Sequence, residues 1–154
     1  MSYLEKNLLP GETVDYRAHL HPIIFLHPAF FGLIGLSFVV FSFVNKELSY
    51  FWMLGAVFLL YAAGVGIDRA IHFASSEFGI TNKRVVIKVG FINRKTLEMV
   101  LTKVETIRVD QSILGRMLNY GTIVVTGTGG TNEPFTSLAN PMEFRRQVQA
   151  RTSG

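Results

Sequence analysis

Two long segments without a charged side chain constrain this chain more than any other feature of its sequence. They cover residues 23–44 and 48–67, and only Asn45, Lys46 and Glu47 lie between them. An α-helix rises about 1.5 Å per residue, so each segment reaches about 30 Å, the thickness of a bilayer's hydrocarbon core. A helix also satisfies its own backbone hydrogen bonds in lipid. The sequence therefore predicts a transmembrane helical hairpin.

The charge distribution predicts how this hairpin is oriented. Residues 1–67 contain 3 Lys/Arg and 4 Asp/Glu, whereas residues 68–154 contain 12 and 7. Cytoplasmic segments carry the excess of Lys and Arg, and two spans return the chain to the side where it began, so we expect both termini in the cytoplasm. A cleavable signal peptide is not expected, because the apolar run is too long and Lys6 is the one basic residue in the first 16.

Small residues in the two segments indicate where the helices pack against each other, and polar or aromatic residues near the segment ends indicate the membrane interface. Close helix packing is predicted at Gly32, Gly35, Ala62 and Gly66. We interpret this packing as internal to the hairpin, with contact to another subunit as the alternative. The residues predicted at the membrane interface are His19, His21, Tyr50, Trp52 and Arg69.

The remainder of the chain has the pattern of an antiparallel sheet. Short segments rich in β-branched residues alternate with turn residues. The predicted strands are 77–81, 84–89, 95–101, 106–111, 122–126 and 132–137. Turns are predicted at 82–83, 90–93 and 127–130, and a short helical turn at 113–119. Asn140 as N-cap and Pro141 at the first position predict a C-terminal helix.

These elements predict four consecutive regions. Residues 1–22 form an N-terminal cytoplasmic leader, residues 23–67 form the hairpin, and residues 68–75 form a linker. Residues 76–154 form a cytoplasmic domain in which a small curved sheet is closed by the C-terminal helix.

Several motifs, in this order, make the chain similar to one protein family. They are Leu9-Pro10-Gly11-Glu12, Arg17 with His19, and the stretches 78–85, 90–94, 101–109, 112–116 and 119–123. Together they resemble the bacterial pleckstrin-homology (PH) domain family, in its membrane-anchored branch with two N-terminal spans. The resemblance implies a bacterial inner-membrane protein with a mainly-β PH-like domain: two packed antiparallel sheets, about seven strands and a C-terminal capping helix.

The resemblance also implies a binding or assembly module, since some bacterial relatives are homo-oligomers. Eukaryotic members of the superfamily bind phosphoinositides through basic residues in the loop between their first two strands. The matching loop here is Asn82-Lys83, which lacks a dense Lys/Arg cluster, so a specific inositide site is not expected.

Five basic residues around two predicted turns form a candidate binding patch: Lys83, Arg84, Lys88, Arg94 and Lys95. Beside an anionic leaflet, each such charge adds about 1 kcal/mol to the free energy of attraction to the membrane, and this attraction decays over a Debye length. We therefore predict a lipid- or partner-binding rim. The alternative is an ordinary solvated face of the sheet.

The sequence indicates no catalytic, metal or cofactor site. It contains no cysteine, which excludes disulfides, thiolate metal sites and cysteine nucleophiles. His19, His21 and His27 lie close in sequence, but no carboxylate is spaced to complete a metal site with them. The 127–130 glycine-rich run lacks the Gly-Lys-Ser/Thr ending of a phosphate loop. No nucleophile elbow or paired carboxylates are recognisable.

We therefore predict a non-enzymatic membrane protein whose PH-like domain mediates homo-oligomerisation or binds protein or anionic-lipid partners, in a role such as envelope stress or resistance. Its expected partners are membrane lipids, further copies of the chain and other membrane or cytoplasmic proteins, and not nucleic acid. The alternative is a small oligomeric channel or transporter component. Conduits for polar solutes usually carry charged residues in their spans, and these spans carry none.

Overall fold

The computed structural model describes residues 3–91, 94–130 and 132–152. The chain divides into two compact units, which we call the helical unit and the β-rich unit. The helical unit is Pro22–His72, and the β-rich unit combines Met1–His21 with Phe73–Gly154. The helical unit is thus an insertion in the sequence of the β-rich unit.

The helical unit consists mainly of two helices. A 3₁₀ turn at Pro22–Phe25 leads into α2 (Leu26–Val44), and a second turn at Lys46–Leu48 precedes α3 (Phe51–Ser75). The two predicted apolar segments are therefore helical. Residues 68–75, the predicted linker, are the last two turns of α3. They contain neither Gly nor Pro, so nothing in them ends the helix.

The two helices pack most closely where Gly35 faces Gly55. A Cβ atom on Gly55 would lie 2.6 Å from Val39 Cγ2 and 2.8 Å from the Gly35 carbonyl oxygen, so neither position has room for a larger side chain. Aromatic rings extend this contact, since Phe38 stacks on Phe51 at 6.1 Å and on Phe58 at 5.9 Å. Close approach through small residues is the usual way in which apolar helices associate in lipid.

The β-rich unit contains two antiparallel sheets. The first has the order β1 (Val14–Ala18), β2 (Glu77–Thr81), β3 (Arg84–Val89) and β4 (Lys95–Val100). The second has the order β5 (Val104–Asp110), β6 (Tyr120–Gly127) and β7 (Asn132–Ala139). Two short helices, α1 (Tyr3–Lys6) and α4 (Ile113–Met117), and the C-terminal α5 (Pro141–Thr152) complete the unit.

The core lies between the two sheets and under α5. Burial alternates along β6, as expected for a strand with one buried face, whereas β2 and β3 each contain at least three consecutive buried residues. Phe144 and Val148 of α5 share a face, and both are fully buried. The largest fully buried apolar side chains of the sheets are Phe78, Ile80, Val85, Ile87, Ile123, Val125 and Leu138. The predicted PH-like architecture is confirmed.

The observed strands agree with the predicted ones except at their ends. β5 and β6 each begin two residues earlier than predicted, and β7 continues to Ala139. A register shift between Gly121 and Ile123 lets β6 and β7 stay paired as far as Tyr120 and Ala139. The predicted turn at 90–93 includes Ile92 and Asn93, which lie outside the described residues.

The predicted separation of residues 1–22 from the domain needs correction. β1 pairs with β2 along most of its length, so the N-terminal segment supplies an edge strand of the first sheet. The chain then joins the second sheet, because Leu20 forms a bridge with Leu138 and the His21 amide donates to the Ser137 carbonyl at 2.7 Å. The alternation in residues 13–20 was too short, and too disturbed by the bulge between Val14 and Tyr16, to predict a strand.

Candidate functional site

The N-terminal segment is held against the β2–β3 hairpin by a buried ion pair. Glu12 has a fully buried side chain, and the side chain of Arg84 is 15% exposed. Arg84 Nε donates to Glu12 Oε1 at 2.9 Å and Arg84 Nη2 donates to Glu12 Oε2 at 3.1 Å, so the contact is bidentate. We call the contacts between residues 3–13 and β2–β3 the N-terminal clasp.

A tight turn places Glu12 in this position. The Glu12 amide donates to the Leu9 carbonyl at 2.9 Å, with Pro10 and Gly11 at the centre of the turn. Gly11 has a φ of 72°, which a residue with a side chain rarely adopts, and Pro at the preceding position favours the same type of turn. The motif Leu9-Pro10-Gly11-Glu12 is therefore a device that directs a carboxylate into the domain.

The charge state of Glu12 follows from its hydrogen bonds. Burial alone would raise the pKa of Glu12, but hydrogen bonds from Arg84, the Leu9 amide and Thr81 outweigh burial and lower this pKa to about 2. Leu9 N lies 2.7 Å and Thr81 Oγ1 lies 2.8 Å from the carboxylate. The same contact with Glu12 raises the pKa of Arg84, so both groups stay ionised.

Further hydrogen bonds from the β2–β3 hairpin complete the N-terminal clasp. Arg84 also donates to Glu98 at 2.6 Å and to the Asn7 carbonyl at 2.6 Å. Lys83 Nζ donates to the Pro10 carbonyl at 2.8 Å. Asn82 Nδ2 donates to the Gly11 carbonyl at 3.1 Å. The turn between β2 and β3 is thus directed at the protein's own N-terminal segment.

The helix α1 is fixed to the same sheet. The amides of Tyr3 and Leu4 donate to the Glu77 carboxylate at 2.9 and 3.2 Å. The Lys88 ammonium lies 4.7 Å from the centre of the Tyr3 ring, within the range of a cation–π contact. A Cβ atom on Gly79 would lie 2.6 Å from Leu4 Cδ1, so only glycine leaves space for the buried Leu4 side chain.

The structure therefore divides the five basic residues of the candidate patch. Lys83, Arg84 and Lys88 contact the N-terminal segment, and Arg84 is ion-paired with Glu12 and Glu98. Arg94 and Lys95 are exposed, and Lys95 is the first residue of β4. For these two residues, binding of an anionic partner stays a prediction.

The predicted interface residues lie in different environments. His21 stacks on Tyr120 with 5.2 Å between the ring centroids, and the His19 carbonyl accepts from the Ala139 amide. In the helical unit, Tyr50 and Trp52 are exposed at the start of α3, and Arg69 is exposed near its end.

The histidines are divided between the two units. His27 packs against Phe31 in the helical unit, with ring centroids 4.8 Å apart, whereas His19 and His21 belong to the β-rich unit. Among the residues that the structure describes, no group of three or more His, Asp or Glu side chains is placed to hold a metal ion.

The predicted packing residues all lie along the contact between α2 and α3. A Cβ atom on Gly32 would lie 3.7 Å from Ala62 Cβ, and one on Gly66 would lie 3.9 Å from Pro28 Cβ. Gly35 is the closest of these contacts, because its Cβ would lie 3.0 Å from the Gly55 carbonyl oxygen. Gly55 itself was missed by the sequence analysis, although its spacing from Ala62 by one heptad is a signal for the same face.

A second feature that the sequence analysis missed is the apolar surface of α4. The four large side chains of this segment are mostly exposed: Ile113 by 81%, Leu114 by 61%, Met117 by 76% and Leu118 by 48%. Their spacing of one, four and five residues places them on one side of the helix. That spacing is visible in the sequence, but it also fits a helix that packs into a core.

A four-stranded and a three-stranded antiparallel sheet with a C-terminal helix define a PH-like domain. The family comparison agrees with this fold. The family model "Bacterial PH domain" matches residues 29–152, and the chain belongs to this family. The match begins within α2, so it includes most of the helical unit. No curated protein and no solved structure matches the chain.

Proposed function

We propose that this protein is a non-enzymatic, membrane-anchored binding module. In this proposal α2 and α3 cross a bacterial inner membrane, and the β-rich unit lies in the cytoplasm. There it mediates self-association or binds protein or anionic-lipid partners. Membership of the bacterial PH domain family supports the non-enzymatic part of the proposal, because PH domains are generally non-catalytic.

The observation that carries the proposal is the uncovered apolar surface of the two long helices. Of the most apolar 18-residue window in each, only 11% and 6% is buried inside the protein. The apolar core helix of a soluble protein is mostly buried, whereas these helices leave Phe43 79% and Leu60 75% exposed. Lipid chains are the environment in which such a surface is stable.

The charges beside the helices support the orientation. The turn between α2 and α3 contains one lysine and one glutamate, whereas residues 68–154 have 12 Lys/Arg against 7 Asp/Glu. The excess of basic residues favours retention of the β-rich unit on the cytoplasmic side. Since residues 1–21 belong to the same unit, the N-terminus is expected on that side as well.

The edges of the sheets support a role in assembly. β4 is the last strand of the first sheet and β5 is the first strand of the second, so each has one edge outside the strand order of its sheet. Edge strands present backbone donors and acceptors that a further strand can bind. Another copy of the chain or a partner protein is a suitable ligand for such an edge.

The orientation is tested with protease on intact spheroplasts that contain the full chain with a C-terminal epitope. We expect the epitope to survive until the membrane is permeabilised. An epitope lost from intact spheroplasts, or a chain that is released by alkaline carbonate without detergent, would contradict the proposal.

The binding role is tested on the full chain in detergent micelles, because residues 75–154 alone would lack β1 and the clasp. Light scattering coupled to size-exclusion chromatography is expected to report more than one chain per particle. Otherwise, a pull-down in mild detergent is expected to recover a defined partner. A monomer that neither captures a partner nor responds to anionic lipid would refute the binding role. Ion flux in reconstituted vesicles would instead favour the channel alternative.

A further inference from the structure

We propose that α4 is a membrane-docking element, which inserts its apolar side chains into the surface of the same bilayer that anchors the chain. The ligand is a lipid surface: acyl chains for the apolar side chains and a phosphate group for Arg116. This inference rests on the proposed function, because it requires α2 and α3 to be embedded in that bilayer.

The exposed side chains of α4 are unusual for their size and position. Six consecutive residues contribute four large apolar side chains that are each at least 48% exposed, namely Ile113, Leu114, Met117 and Leu118. Single exposed apolar residues are ordinary on a protein surface, but a contiguous group marks a binding surface. Met142, which is 47% exposed, follows two residues after Asn140, and the Asn140 amide donates to the Asn119 carbonyl beside this group.

The protein holds α4 in place so that its apolar side stays outward. Ser112 Oγ accepts from the Gly115 amide at 3.1 Å and so caps the helix. Gln111 Nε2 donates to the carbonyls of Gly115 at 3.3 Å and Tyr120 at 2.9 Å. A Cβ atom on Gly115 would lie 2.7 Å from the Tyr120 carbonyl oxygen, so glycine lets the polar side of α4 contact the start of β6 directly.

This anchoring point connects α4 with the place where the chain enters its first apolar segment. The backbone carbonyl of Tyr120 contacts α4. The ring of Tyr120 stacks on His21, with 5.2 Å between the ring centroids. The next residue after His21 is Pro22, where the first candidate span begins, and consecutive Cα atoms are about 3.8 Å apart. Chain connectivity therefore keeps His21 next to the first candidate span, and His21 in turn contacts the Tyr120 ring beside α4.

The composition of α4 fits the headgroup region of a bilayer. Residues 111–119 contain one charged side chain, the exposed Arg116, and no acidic one. An apolar side flanked by a cation is the pattern of helices that lie in the interface, where arginine binds phosphate and the apolar side enters the acyl boundary. Insertion of four large side chains would also remove the most exposed apolar group of the β-rich unit from water.

The experiment uses single-cysteine variants of the full chain, which has no cysteine of its own. Met117→Cys and the control Thr128→Cys are labelled with an environment-sensitive dye and reconstituted in vesicles with nitroxide groups on the acyl chains. Thr128 is exposed and follows the opposite end of β6, about 25 Å from Tyr120 at about 3.3 Å per strand residue. We expect a blue-shifted, strongly quenched dye at position 117 and an unquenched dye at position 128.

Two further measurements separate the possible failures. Flotation of the labelled chain with the vesicles reports anchoring: if the chain floats but positions 117 and 128 are quenched equally or not at all, the docking element is refuted and the anchored module stands. A chain that does not float refutes the proposed function itself. Efficient disulfide cross-linking between two unlabelled Met117→Cys chains, without quenching of the labelled ones by lipid, would show that a second copy covers α4 and would also overturn the inference.

Arg116→Glu in the Met117→Cys background tests the phosphate contact. In vesicles with anionic lipid we expect severalfold weaker quenching than with Arg116, whereas Arg108→Glu, at an exposed position on β5, is expected to leave quenching unchanged. Equal effects of the two substitutions would attribute docking to net charge and contradict a specific role of Arg116.

Discussion

The N-terminal clasp and α4 differ in whether their side chains have partners within the chain. In the clasp, basic residues that resemble a binding surface are occupied by the protein itself, with Arg84 bound to Glu12, Glu98 and the Asn7 carbonyl. In α4, side chains that resemble a core are left in contact with solvent. The positive charge of Lys83, Arg84 and Lys88 therefore did not reveal their contacts with the N-terminal segment, and the hydrophobicity of α4 did not reveal its exposure.

The helical unit repeats the second of these patterns. Its α2–α3 contact is closed at Gly35 and Gly55, while the opposite surfaces of both helices are apolar and exposed. Contiguous apolar surfaces of this kind mark sites of interaction. The clasp is complete within one chain, whereas α4 and the two long helices leave large apolar side chains exposed.

The strongest test of this comparison is Arg84→Ala. The substitution leaves the Glu12 carboxylate buried without its cation, and breaking a buried pair in this way costs about 3–5 kcal/mol. We expect faster amide hydrogen exchange throughout β1 to β3 of the full chain in micelles, measured by mass spectrometry. Arg94→Ala is the matched control, because this arginine is exposed, and a surface substitution changes stability by about 0.5 kcal/mol or less.

The same experiment includes the double variant Glu12→Leu with Arg84→Met. Removing both charges avoids an unpaired buried carboxylate, so we expect the double variant to exchange more slowly than Arg84→Ala. If Arg84→Ala and Arg94→Ala have the same exchange rates, the clasp does not hold the N-terminal segment.

Glu12→Gln tests the electrostatic part of the clasp and its pH dependence. Replacing the ionised acceptor with an amide is expected to cost about 1.5–3 kcal/mol at neutral pH. The pKa of Glu12 is lowered from 4.5 to about 2, so its stabilising effect is complete above pH 4.5 and is lost as the pH falls towards 2. Exchange rates of β2 and β3, corrected for the intrinsic pH dependence of exchange, should therefore rise over this interval in the native chain.

The amide side chain of the Glu12→Gln variant does not titrate, so in that variant this acid-induced rise in exchange should be smaller. Glu133→Gln serves as the control, since Glu133 lies on β7 in the second sheet, whereas the clasp is built on the first. A native chain whose corrected β2–β3 exchange stays constant between about pH 5 and 2.5 would contradict the assigned charge state of Glu12.

Gly55→Ala tests whether α2 and α3 pack tightly at Gly55. The added methyl group would lie 2.6 Å from Val39 Cγ2, and overpacking of this kind costs about 1–3 kcal/mol. Trp52, the one tryptophan of the chain, reports unfolding of α3 by fluorescence during denaturation in mixed micelles. Gly64→Ala is the control because a Cβ atom there meets nothing within 4 Å, and alanine favours a helix. Equal midpoints for both variants would show that α2 and α3 do not pack through Gly55.

The smallest expected effect belongs to the two exposed cations at the start of β4. Arg94→Glu combined with Lys95→Glu removes an attraction of about 1 kcal/mol per charge to an anionic leaflet, and salt screens this attraction. In vesicles with headgroup-labelled lipid, a dye on Thr96→Cys should lose quenching on this double substitution only when anionic lipid is present. Lack of any difference from the Thr96→Cys chain that retains both cations would remove these residues from the candidate site.

Much of the fold could be predicted because the responsible signals are local. The turn at Asn82-Lys83 separates strands whose observed bounds, Glu77–Thr81 and Arg84–Val89, are the predicted ones. Phe144 and Val148 follow a helical period and are buried together. The N-terminal strand was missed because β1 pairs with a strand about 60 residues later, and no local pattern records such a partner.

The candidate site was less predictable for the same reason. Lys83, Arg84 and Lys88 were identified as a cationic group. Their partners lie in residues 3–12, which precede the inserted helical unit in the sequence. The sequence motif that contains Glu12 was recognised, but not its function. Ile113 and Met117 have a spacing that fits burial and exposure equally well, and only the packing around Gly115 and Tyr120 turned them outward.

By itself the sequence determined the two uncharged apolar segments, the strands that follow them and the family, because hydrophobic period, turn residues and segment length act over neighbouring residues. The tertiary structure alone decided which charges are paired inside the domain and which apolar side chains stay uncovered. Ion pairing and burial depend on groups that are distant in sequence, and their free energies are fixed only when folding brings those groups into contact.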